Sequence, residues 1–154
     1  MVFSTFLQID LRSPIDTGFL FNTRSHPDVC RYLLGQPPVS YSDHMKWLKS
    51  NVPEKRKIFI LRVDGKLVGY CQAYDFIDKE TVEVGFVVHP DFQRRGYGKI
   101  MTREIIAWLR RQMSDRKIIL YVLVGNKRAI SLYGKYGFVQ KERVGDTFRY
   151  EIKE

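Results

Sequence analysis

The sequence predicts one α/β (mixed α+β) domain over residues 1–154, in which a sheet of six to seven strands is flanked by helices. Three observations support this fold class. Two β-rich runs, 58–63 and 66–74, are joined by Asp-Gly, a dipeptide typical of a β-hairpin. Apolar residues between Ile100 and Met113 recur with the period of an amphipathic helix. Residues 118–124 are continuously apolar, as expected for a strand covered on both faces.

Three segments precede the hairpin. The alternating run at residues 5–12 predicts a strand. Spaced apolar residues at 15–34, interrupted by Pro27, predict two short helices. After a diproline loop, Ser40 or Ser42 is expected to cap a third helix.

The rest of the chain alternates strands with helices. Residues 75–80 are typical of a turn, and 81–88 of a third consecutive strand. A glycine loop then opens the amphipathic helix. Residues 128–136, after the long apolar strand, predict a short helix that a glycine ends. Two final runs, 138–144 and 147–152, are joined by Gly-Asp and predict a closing hairpin.

The composition is that of a folded domain with an excess of positive charge. Apolar residues make up 44% of the 154 residues, which is enough to bury one sizeable core. Lysine and arginine outnumber aspartate and glutamate by 26 to 17, a net charge of +9. This excess favours anionic partners, meaning nucleic acid, acidic membranes or phosphorylated small molecules, and does not choose among them.

The cysteines and the N-terminus lead us to expect a cytoplasmic protein. Cys30 and Cys71 share no short spacing, so no disulfide framework is predicted. The N-terminal segment lacks a basic region, and Asp10 and Arg12 interrupt its apolar stretch. No apolar run approaches the length of a transmembrane helix, so we expect no membrane partner.

The segment QRRGYGK, residues 93–99, places two glycines among three cations directly after a strand. Glycine allows a tight turn and a close approach, and amides at a helix start attract anions. A dinucleotide-binding fingerprint would need a third glycine where Met101 stands, and a Walker loop would need serine or threonine at Ile100. The segment therefore indicates an anion site of another kind, with a purely structural turn as the alternative.

Two motifs resemble those of the GNAT acetyltransferases. The string QRRGYG resembles the acyl-coenzyme A loop of that family, Gln/Arg-x-x-Gly-x-Gly/Ala. Residues 126–138, NKRAISLYGKYGF, resemble its later motif, Asn-x-x-Ala-x-x-Leu-Tyr-x-x-x-Gly-Phe. The resemblance covers residues 81–139. The sequence is identified as a member of this family, which implies the GNAT fold, a mostly antiparallel sheet flanked by helices, and acetyl transfer to an amine.

The resemblance implies that the anion is the pyrophosphate of acetyl-coenzyme A. Backbone amides from Arg94 through Lys99 would bind it at the helix start, where the helix dipole favours negative charge. Gly96 and Gly98 would allow its close approach. The residues that the resemblance assigns to the coenzyme are Val87, Val88, Gln93, Arg94, Arg95, Gly96, Tyr97, Gly98, Lys99, Asn126, Arg128 and Tyr133.

Acetyl transfer needs a base and an acid, because the attacking amine must be neutral and the departing thiolate takes up a proton. The resemblance assigns the acid to Tyr133, which matches the family's proton donor to the coenzyme A sulfur. It assigns the base to Glu83, acting through water. Strand alternation places Glu83, Gly85 and Val87 on one face of their strand. The alternative for Glu83 is a partly buried structural carboxylate.

Two segments of the N-terminal half resemble bacterial sugar-nucleotide N-acetyltransferases. Those enzymes acetylate the 4-amino group of a UDP-linked deoxysugar on the way to pseudaminic-type acids. The segments begin at Arg24 (RSHPDVCRYLL) and Tyr41 (YSDHMKWL), and they depart from the pattern at Ser25 and Cys30. The resemblance implies a small-molecule amine acceptor, a nucleotide sugar. The residues assigned to the acceptor are Arg24, His26, His44, Trp47 and Tyr74.

Two other functions remain open. One is an N-terminal or lysine acetyltransferase of a basic or ribosomal protein, although a net charge of +9 suits a diphosphate better than a basic peptide. The other is a non-catalytic domain that binds coenzyme A, or binds RNA by stacking aromatic residues on bases. Nucleic acid is the less favoured partner, because such aromatics usually pack in a core. The aromatic residues concerned are Tyr32, Tyr41, Trp47, Tyr70 and Tyr74.

The remaining expectations concern a metal site and the oligomeric state. His26 and Cys30 are four residues apart, and His44 and His89 would complete a set of ligands. Pro27 indicates a helix start between the first two, and there is no second close pair of ligands. We therefore predict no bound metal. The oligomeric state stays open, with a homodimer as one option.

Overall fold

A computed structural model describes residues 2–74 and 80–152, so most of the turn expected at 75–80 lies outside the described residues. The strands are β1 (Ser4–Gln8), β2 (Arg56–Val63), β3 (Lys66–Tyr74), β4 (Thr81–Val88), β5 (Lys117–Leu123), β6 (Phe138–Val144) and β7 (Thr147–Ile152). The helices are α1 (Pro14–Ser25), α2 (Pro27–Cys30), α3 (Tyr41–Asn51), α4 (Tyr97–Gln112) and α5 (Lys127–Lys135), with a 3-10 turn at Pro90–Phe92.

These strands form one sheet in the order β1-β2-β3-β4-β5-β7-β6. Five of the six neighbouring pairs within the described chain are antiparallel, and only β4 and β5 run parallel. The helices lie between strands, as the order of apolar patterns predicted. The predicted fold class, a mostly antiparallel mixed sheet of six to seven strands flanked by helices, is confirmed.

Side chains fix where three helices begin. Ser13 (α1), Ser40 (α3) and Asn126 (α5) each accept a hydrogen bond from the amide three residues further on. Ser40, and not Ser42, therefore caps the third predicted helix. Pro27 begins α2 one residue after α1 has ended, because its ring cannot continue a helix.

The first strand is shorter than the predicted run at residues 5–12. Asp10 accepts hydrogen bonds from both the backbone and the side chain of Arg12, and this turns the chain towards α1. The strand ends at Gln8 and pairs antiparallel with β2. It is tied to the hairpin turn by the Phe3 amide, which donates to Asp64 at 3.0 Å.

The β2–β3 hairpin contains a bulge that changes which residues face each other. Both residues of its Asp-Gly turn have positive φ, as a two-residue hairpin turn requires. The pairing then shifts by one residue at 61–62. Arg56 consequently lies opposite Tyr74, whereas an uninterrupted register would place it opposite Ala73.

Helices cover both faces of the sheet. Alternate residues of β2 and β3 point to opposite faces, and the buried side chains divide into two clusters accordingly. The larger cluster lies under α4 and α5, and the smaller one under α1 and α3. Representative members are Leu61, Cys71, Val84, Met101 and Ile105 in the first, and Leu20, Leu48, Ile58, Ile60 and Tyr70 in the second.

The parallel strands β4 and β5 separate soon after they begin. Within the described residues they pair from Thr81 to Glu83 on β4, opposite Lys117 to Ile119 on β5. Beyond Glu83, β4 keeps its pairing with β3, and β5 pairs with β7. The backbone groups of β4 that face β5 beyond this point therefore have no strand beside them, which leaves them available to a ligand.

Candidate functional site

The loop between β4 and α4 holds two residues with positive φ. Arg94 has a φ of 68° and Gly96 a φ of 82°, and residues other than glycine rarely adopt this conformation. Gly96 is the N-cap of α4 and makes no side-chain capping bond, so the first helix amides are open to an outside acceptor. Left-handed residues beside exposed helix amides form a concave surface suited to an anion.

The two glycines of this loop are needed for different reasons. A Cβ at Gly96 would meet no atom within 4 Å, so there the requirement is the positive φ. A Cβ at Gly98 would lie 3.0 Å from the Tyr136 hydroxyl oxygen. Gly98 thus lets the end of α5 pack closely against α4, a role that the sequence did not predict, and its part in the approach of a ligand stays a prediction.

Side chains predicted to contact the coenzyme tie the loop to its neighbours. The Gln93 amide nitrogen donates to the Val88 carbonyl at 3.1 Å, and Arg128 donates to the Gln93 amide oxygen at 2.6 Å. Asn126 caps α5 through the amide of Ala129 at 3.3 Å. The loop, the end of β4 and the start of α5 are thereby held as one unit.

The three cations of the loop are exposed to solvent. The Cζ atom of Arg95 lies 5.7 Å from the ring centroid of Phe92, and no intramolecular ion pair within the described residues involves Arg94, Arg95 or Lys99. Tyr97, the first residue of α4, packs against the larger core. Contacts of these side chains with a coenzyme stay predictions.

Tyr133 lies on α5 among aromatic rings. Its ring centroid is 6.3 Å from that of Phe86, 6.1 Å from that of Phe138 and 6.3 Å from that of Tyr150. Burial raises the pKa of Tyr133 well above the ordinary value of a phenol, with smaller contributions in the same direction from Cys71 and a neighbouring tyrosine. The phenol therefore keeps its proton at neutral pH.

Glu83 lies opposite Tyr74 across the β3–β4 pair. The Tyr74 hydroxyl donates a hydrogen bond to Oε2 of Glu83. Burial, and then the charge and the hydrogen bond of Glu83, raise the pKa of Tyr74. Glu83 is also the last residue of β4 that pairs with β5, so this carboxylate lies where the two strands begin to separate.

Two guanidinium groups stack on the aromatic residues next to this pair. The Cζ atom of Arg24 lies 4.3 Å from the ring centroid of Trp47, and that of Arg56 lies 5.1 Å from the same ring. Arg56 also lies over Tyr74 at 4.2 Å, and donates to the side-chain oxygen of Gln72 at 2.5 Å. Of the predicted acceptor residues, Arg24, Trp47 and Tyr74 are thus brought together beside Glu83.

Arg56 was absent from the prediction, and it is the residue that links Trp47 to Tyr74. Burial lowers the pKa of Arg56. The charge of Tyr74 acts to raise this pKa, and the charge of Arg24 acts to lower it. The only signal in the sequence is a cation at the open end of a predicted hairpin. A count of residues from the turn, without the bulge, places Arg56 opposite Ala73. The contact of Arg56 with Tyr74 therefore cannot be predicted from the sequence.

His44 lies beneath Trp47. It is 1% exposed, its ring centroid is 6.2 Å from that of Trp47 with the planes 17° apart, and both ring nitrogens lack a partner within the described residues. Burial, and then the charge of Arg24, lower the pKa of His44 to about 4. The imidazole is therefore neutral at physiological pH, and its predicted contact with an acceptor stays a prediction.

His26 lies at the junction of α1 and α2. Its Nδ1 accepts a hydrogen bond from the Asp28 amide at 3.1 Å and so caps α2. Its ring contacts the edge of His89 at 5.7 Å, and His89 caps the 3-10 turn through the Asp91 amide in the same way. His26 therefore contacts the residue that precedes the 3-10 turn before the loop at 93–99, and its predicted contact with an acceptor stays a prediction.

The other expectations concern metal and nucleic acid. Within residues 2–74 and 80–152, no three histidine, cysteine, aspartate or glutamate side chains are grouped so as to hold a metal ion. Tyr70 is fully buried, and the Tyr41 hydroxyl is 2.7 Å from that of Thr17, so these aromatics do not line one open surface. None of the described helices is long and apolar enough to span a membrane.

The part of the chain that holds these residues matches the model of a known protein family. The Acetyltransferase (GNAT) family model matches residues 26–138, which include the loop at 93–99, Glu83 and Tyr133. The chain belongs to the GNAT acetyltransferase family. It is an acyl-coenzyme A-dependent N-acetyltransferase that uses acetyl-coenzyme A and acts on a small-molecule amine.

Two curated relatives are similar along most of the chain. Acetyltransferase PseH of Campylobacter jejuni is 23% identical over 136 residues, which cover 88% of this chain and 84% of PseH. Spermidine N(1)-acetyltransferase of Vibrio cholerae is 20% identical over 137 residues, which cover 86% and 79% of the two chains.

Crystal structures of the same two enzymes share the fold. The V. cholerae spermidine N-acetyltransferase in complex with CoA and spermine superposes with a TM-score of 0.84, at 19% identity, over 97% of this chain and 94% of that one. The C. jejuni N-acetyltransferase PseH superposes with a TM-score of 0.74, at 18% identity, over 98% of both chains. At these identities the likeness establishes the fold and not the acceptor.

Proposed function

We propose that this GNAT acetyltransferase acetylates the 4-amino group of a UDP-linked amino deoxysugar. The observation that carries the proposal is the convergence of Arg24 and Trp47, from the two segments that resemble sugar-nucleotide N-acetyltransferases, on the Tyr74–Glu83 pair. An aromatic surface with guanidinium groups suits a nucleotide diphosphate, and the carboxylate beside it suits a reacting amine. The sequence similarity to PseH, a pseudaminic acid pathway N-acetyltransferase, supports an acceptor of this class.

The coenzyme is proposed to bind between β4 and α5. The open amides at the start of α4, together with Arg94 and Gly96 in their left-handed conformation, would hold its pyrophosphate. The edge of β4 beyond Glu83, which includes Val87 and Val88, would hold its arm, although the Val88 carbonyl already accepts a hydrogen bond from Gln93. Acetyl-coenzyme A supplies the thioester whose carbonyl carbon the amine attacks.

Glu83 is proposed as the base. An amine that attacks a carbonyl must first be neutral and then loses a further proton, and a carboxylate can accept that proton through a water molecule. Tyr74 holds Oε2 of Glu83 by a hydrogen bond, which fixes the carboxylate where β4 and β5 separate. Tyr74 acts on this reaction through Glu83 and is therefore a positioning residue.

Tyr133 is proposed as the acid. Its raised pKa keeps the phenol protonated, so the proton is present when the carbon–sulfur bond breaks. Burial disfavours a departing thiolate as it disfavours a phenolate, so a proton donor beside the sulfur favours breakage of the carbon–sulfur bond. Donation from the Tyr133 hydroxyl to the thiolate sulfur then leaves a neutral thiol.

A polyamine is the second candidate acceptor, because the chain is also similar to a spermidine acetyltransferase. A panel of acceptors tests the assignment: a UDP-linked 4-amino deoxysugar, spermidine and a basic peptide, each with acetyl-coenzyme A, followed by thiol release. We expect the highest kcat/KM for the sugar nucleotide. Turnover of spermidine or peptide but not of the sugar nucleotide would contradict the proposal, as would thiol release that no acceptor stimulates.

A further inference from the structure

The residues around Trp47 carry more positive charge than the described structure balances. Arg24 and Arg56 both stack on this ring, and each lies within the electrostatic influence of the other. Among the ion pairs of the described residues, none joins Arg24 or Arg56 to a carboxylate within 4 Å. The negative charge of the Glu83 carboxylate acts on Arg56, and this carboxylate accepts a hydrogen bond from Tyr74.

Several buried polar groups in the same region lack a hydrogen-bond partner within residues 2–74 and 80–152. They belong to the end of α1, to α3 and to β3, and they include an arginine Nε, two hydroxyls of α1 and the hydroxyl of a fully buried tyrosine whose pKa Arg24 and Arg56 influence. Buried polar groups in folded proteins are nearly always paired with protein, water or ligand. The atoms concerned are Thr23 Oγ1, Arg24 Nε, Ser25 Oγ, His44 Nδ1, His44 Nε2 and Tyr70 Oη.

The guanidinium of Arg56 is held in place on three sides. Trp47 and Tyr74 contact it, and Nη1 is occupied by Gln72. Stacking leaves the edge of a guanidinium plane free, and Arg56 has further N–H groups on that edge that Gln72 does not use. A preorganised, desolvated arginine of this kind binds a phosphate more strongly than a mobile surface cation does.

We propose that Arg56, together with Arg24, forms a subsite that binds the phosphate of the acceptor, and that Arg56 selects anionic acceptors over polycationic ones. The inference rests on the proposed acetylation of a phosphate-bearing amine and names the residue that recognises its charge. A phosphate there neutralises the two cations and accepts hydrogen bonds from their unused N–H groups. A polyamine in the same place would add positive charge to a region that already has an excess, which costs binding free energy.

The first test measures binding without acetyl transfer. Inorganic pyrophosphate and UDP are titrated by calorimetry into protein saturated with coenzyme A, which occupies the loop at 93–99. We expect Arg56→Gln and Arg24→Gln each to weaken binding of both probes at least tenfold. Arg56→Lys should recover only part of the loss, because lysine lacks the planar fork. The matched control is Arg110→Gln, an exposed arginine of α4, which should bind both probes like the wild type.

The second test measures selectivity. We expect Arg56→Gln to lower the ratio of kcat/KM for the UDP-amino sugar to kcat/KM for spermidine at least tenfold, with the KM for acetyl-coenzyme A unchanged and the melting temperature close to that of Arg110→Gln. Unchanged pyrophosphate and UDP binding in both Arg56→Gln and Arg24→Gln overturns the subsite. An equal rise in KM for both substrates of Arg56→Gln overturns it too, because that would indicate a structural role.

The two proposals fail separately. If the wild-type protein does not acetylate a UDP-amino sugar, but Arg56→Gln still weakens pyrophosphate binding tenfold, the proposed acceptor is wrong and the phosphate subsite stands. If the sugar nucleotide is acetylated, and its KM is the same for Arg56→Gln as for the wild type, the acceptor stands and the subsite is wrong.

Discussion

The regions on the two sides of Glu83 are built from different interactions. On the proposed coenzyme side, the loop at 93–99 is held by hydrogen bonds of Gln93, Arg128 and Asn126, and its cations are left in solvent. On the proposed acceptor side, arginines are stacked on aromatic rings, and buried polar atoms have no partner among the described residues. The first region presents backbone amides whose positions are fixed by the fold, and the second presents charged side chains.

This difference has a consequence for substitutions. A backbone site tolerates the loss of a neighbouring side-chain charge but not a change in backbone conformation. A side-chain site loses its ligand when one charged group is removed. The expected effects of substitution should therefore differ in kind between the two regions, and the following experiments can sharpen or break that contrast.

The largest effect is expected at the acid. Tyr133→Phe keeps the ring among Phe86, Phe138 and Tyr150 and removes only the hydroxyl, so the fold should persist. Since general acids contribute about 10²- to 10⁴-fold, kcat should fall by a factor in that range while acetyl-coenzyme A affinity barely changes. Steady-state kinetics and calorimetry test this. A kcat within twofold of the wild type would remove Tyr133 from the mechanism.

Loss of the base should be milder and dependent on pH. In Glu83→Gln the amine keeps a small neutral fraction, which grows tenfold per pH unit below the amine pKa. We expect kcat/KM to fall about 10²-fold at pH 7 and to recover towards wild type as pH rises, whereas Tyr133→Phe should not recover. Tyr74→Phe is the matched control, because it keeps Glu83 and removes only the hydrogen bond that positions its carboxylate. Coincident pH–rate profiles of the Glu83 and Tyr133 variants would contradict the two roles, and full activity of Glu83→Gln at pH 7 would make Glu83 structural.

The buried histidine predicts a third effect, on stability. Because the pKa of His44 is lowered to about 4 in the folded state, the unfolded chain, with a pKa near 6.5, binds a proton more readily. The resulting stabilisation is fully present above about pH 6.5 and is lost as pH falls towards 4, an effect of about 3 kcal/mol. The free energy of unfolding of the wild type should therefore fall more steeply than that of His44→Leu over this range. Denaturant titrations at several pH values test it, and parallel curves would show that His44 binds a proton equally well in the folded and the unfolded chain.

The smallest expected effects compare Gly96, where the backbone conformation matters, with the exposed cations of the loop. Gly96→Val must place a β-branched residue at positive φ, so acetyl-coenzyme A affinity should fall about tenfold or more. Arg95→Ala should cost about 1 kcal/mol or less, as an exposed charge does. Calorimetry ranks these variants, and the reverse order would mean that side chains bind the pyrophosphate.

Gly98 should respond to a second substitution where Gly96 does not. Gly98→Ala brings a Cβ within 3.0 Å of the Tyr136 hydroxyl, so it should lower the melting temperature. Adding Tyr136→Phe removes that oxygen and should recover part of the loss. When Tyr136→Phe is added to Gly96→Val, the affinity for the coenzyme should not improve. A melting temperature of Gly98→Ala equal to that of the wild type would show that the contact is relaxed without cost.

The elements of the proposed coenzyme side were predictable from the sequence because each of them follows local rules. The loop, α4 and α5 depend on rules for glycine, helix caps and apolar period, and those rules placed α5 to within one residue and α4 to within three. Local rules did not predict the role of Gly98, because its neighbour Tyr136 lies on another helix. They also extended β1 too far, because the turn made by Asp10 depends on its hydrogen bonds to Arg12.

The acceptor side depends on contacts between distant segments, and there the sequence was less informative. Trp47 and Arg24 were found through a resemblance, but Arg56 was missed, because a single bulge changes which residue it faces. His44 and Trp47 were predicted together, and only the packing shows that the histidine lies beneath the indole. The cytoplasmic location, the homodimer and the individual contacts with substrates stay predictions.

The short pairing of β4 with β5 joins the two sides of the catalytic machinery. The proposed base lies on β4, in the four-strand half of the sheet, while the proposed acid lies on α5 beside β6 and β7. Three residue pairs connect those halves within the sheet, from Thr81 to Glu83. The angle at which the halves diverge therefore sets the distance between proton acceptor and proton donor. A substitution at Val82 or Ile118, two buried residues of this pairing, is therefore expected to change the reaction although it removes neither group.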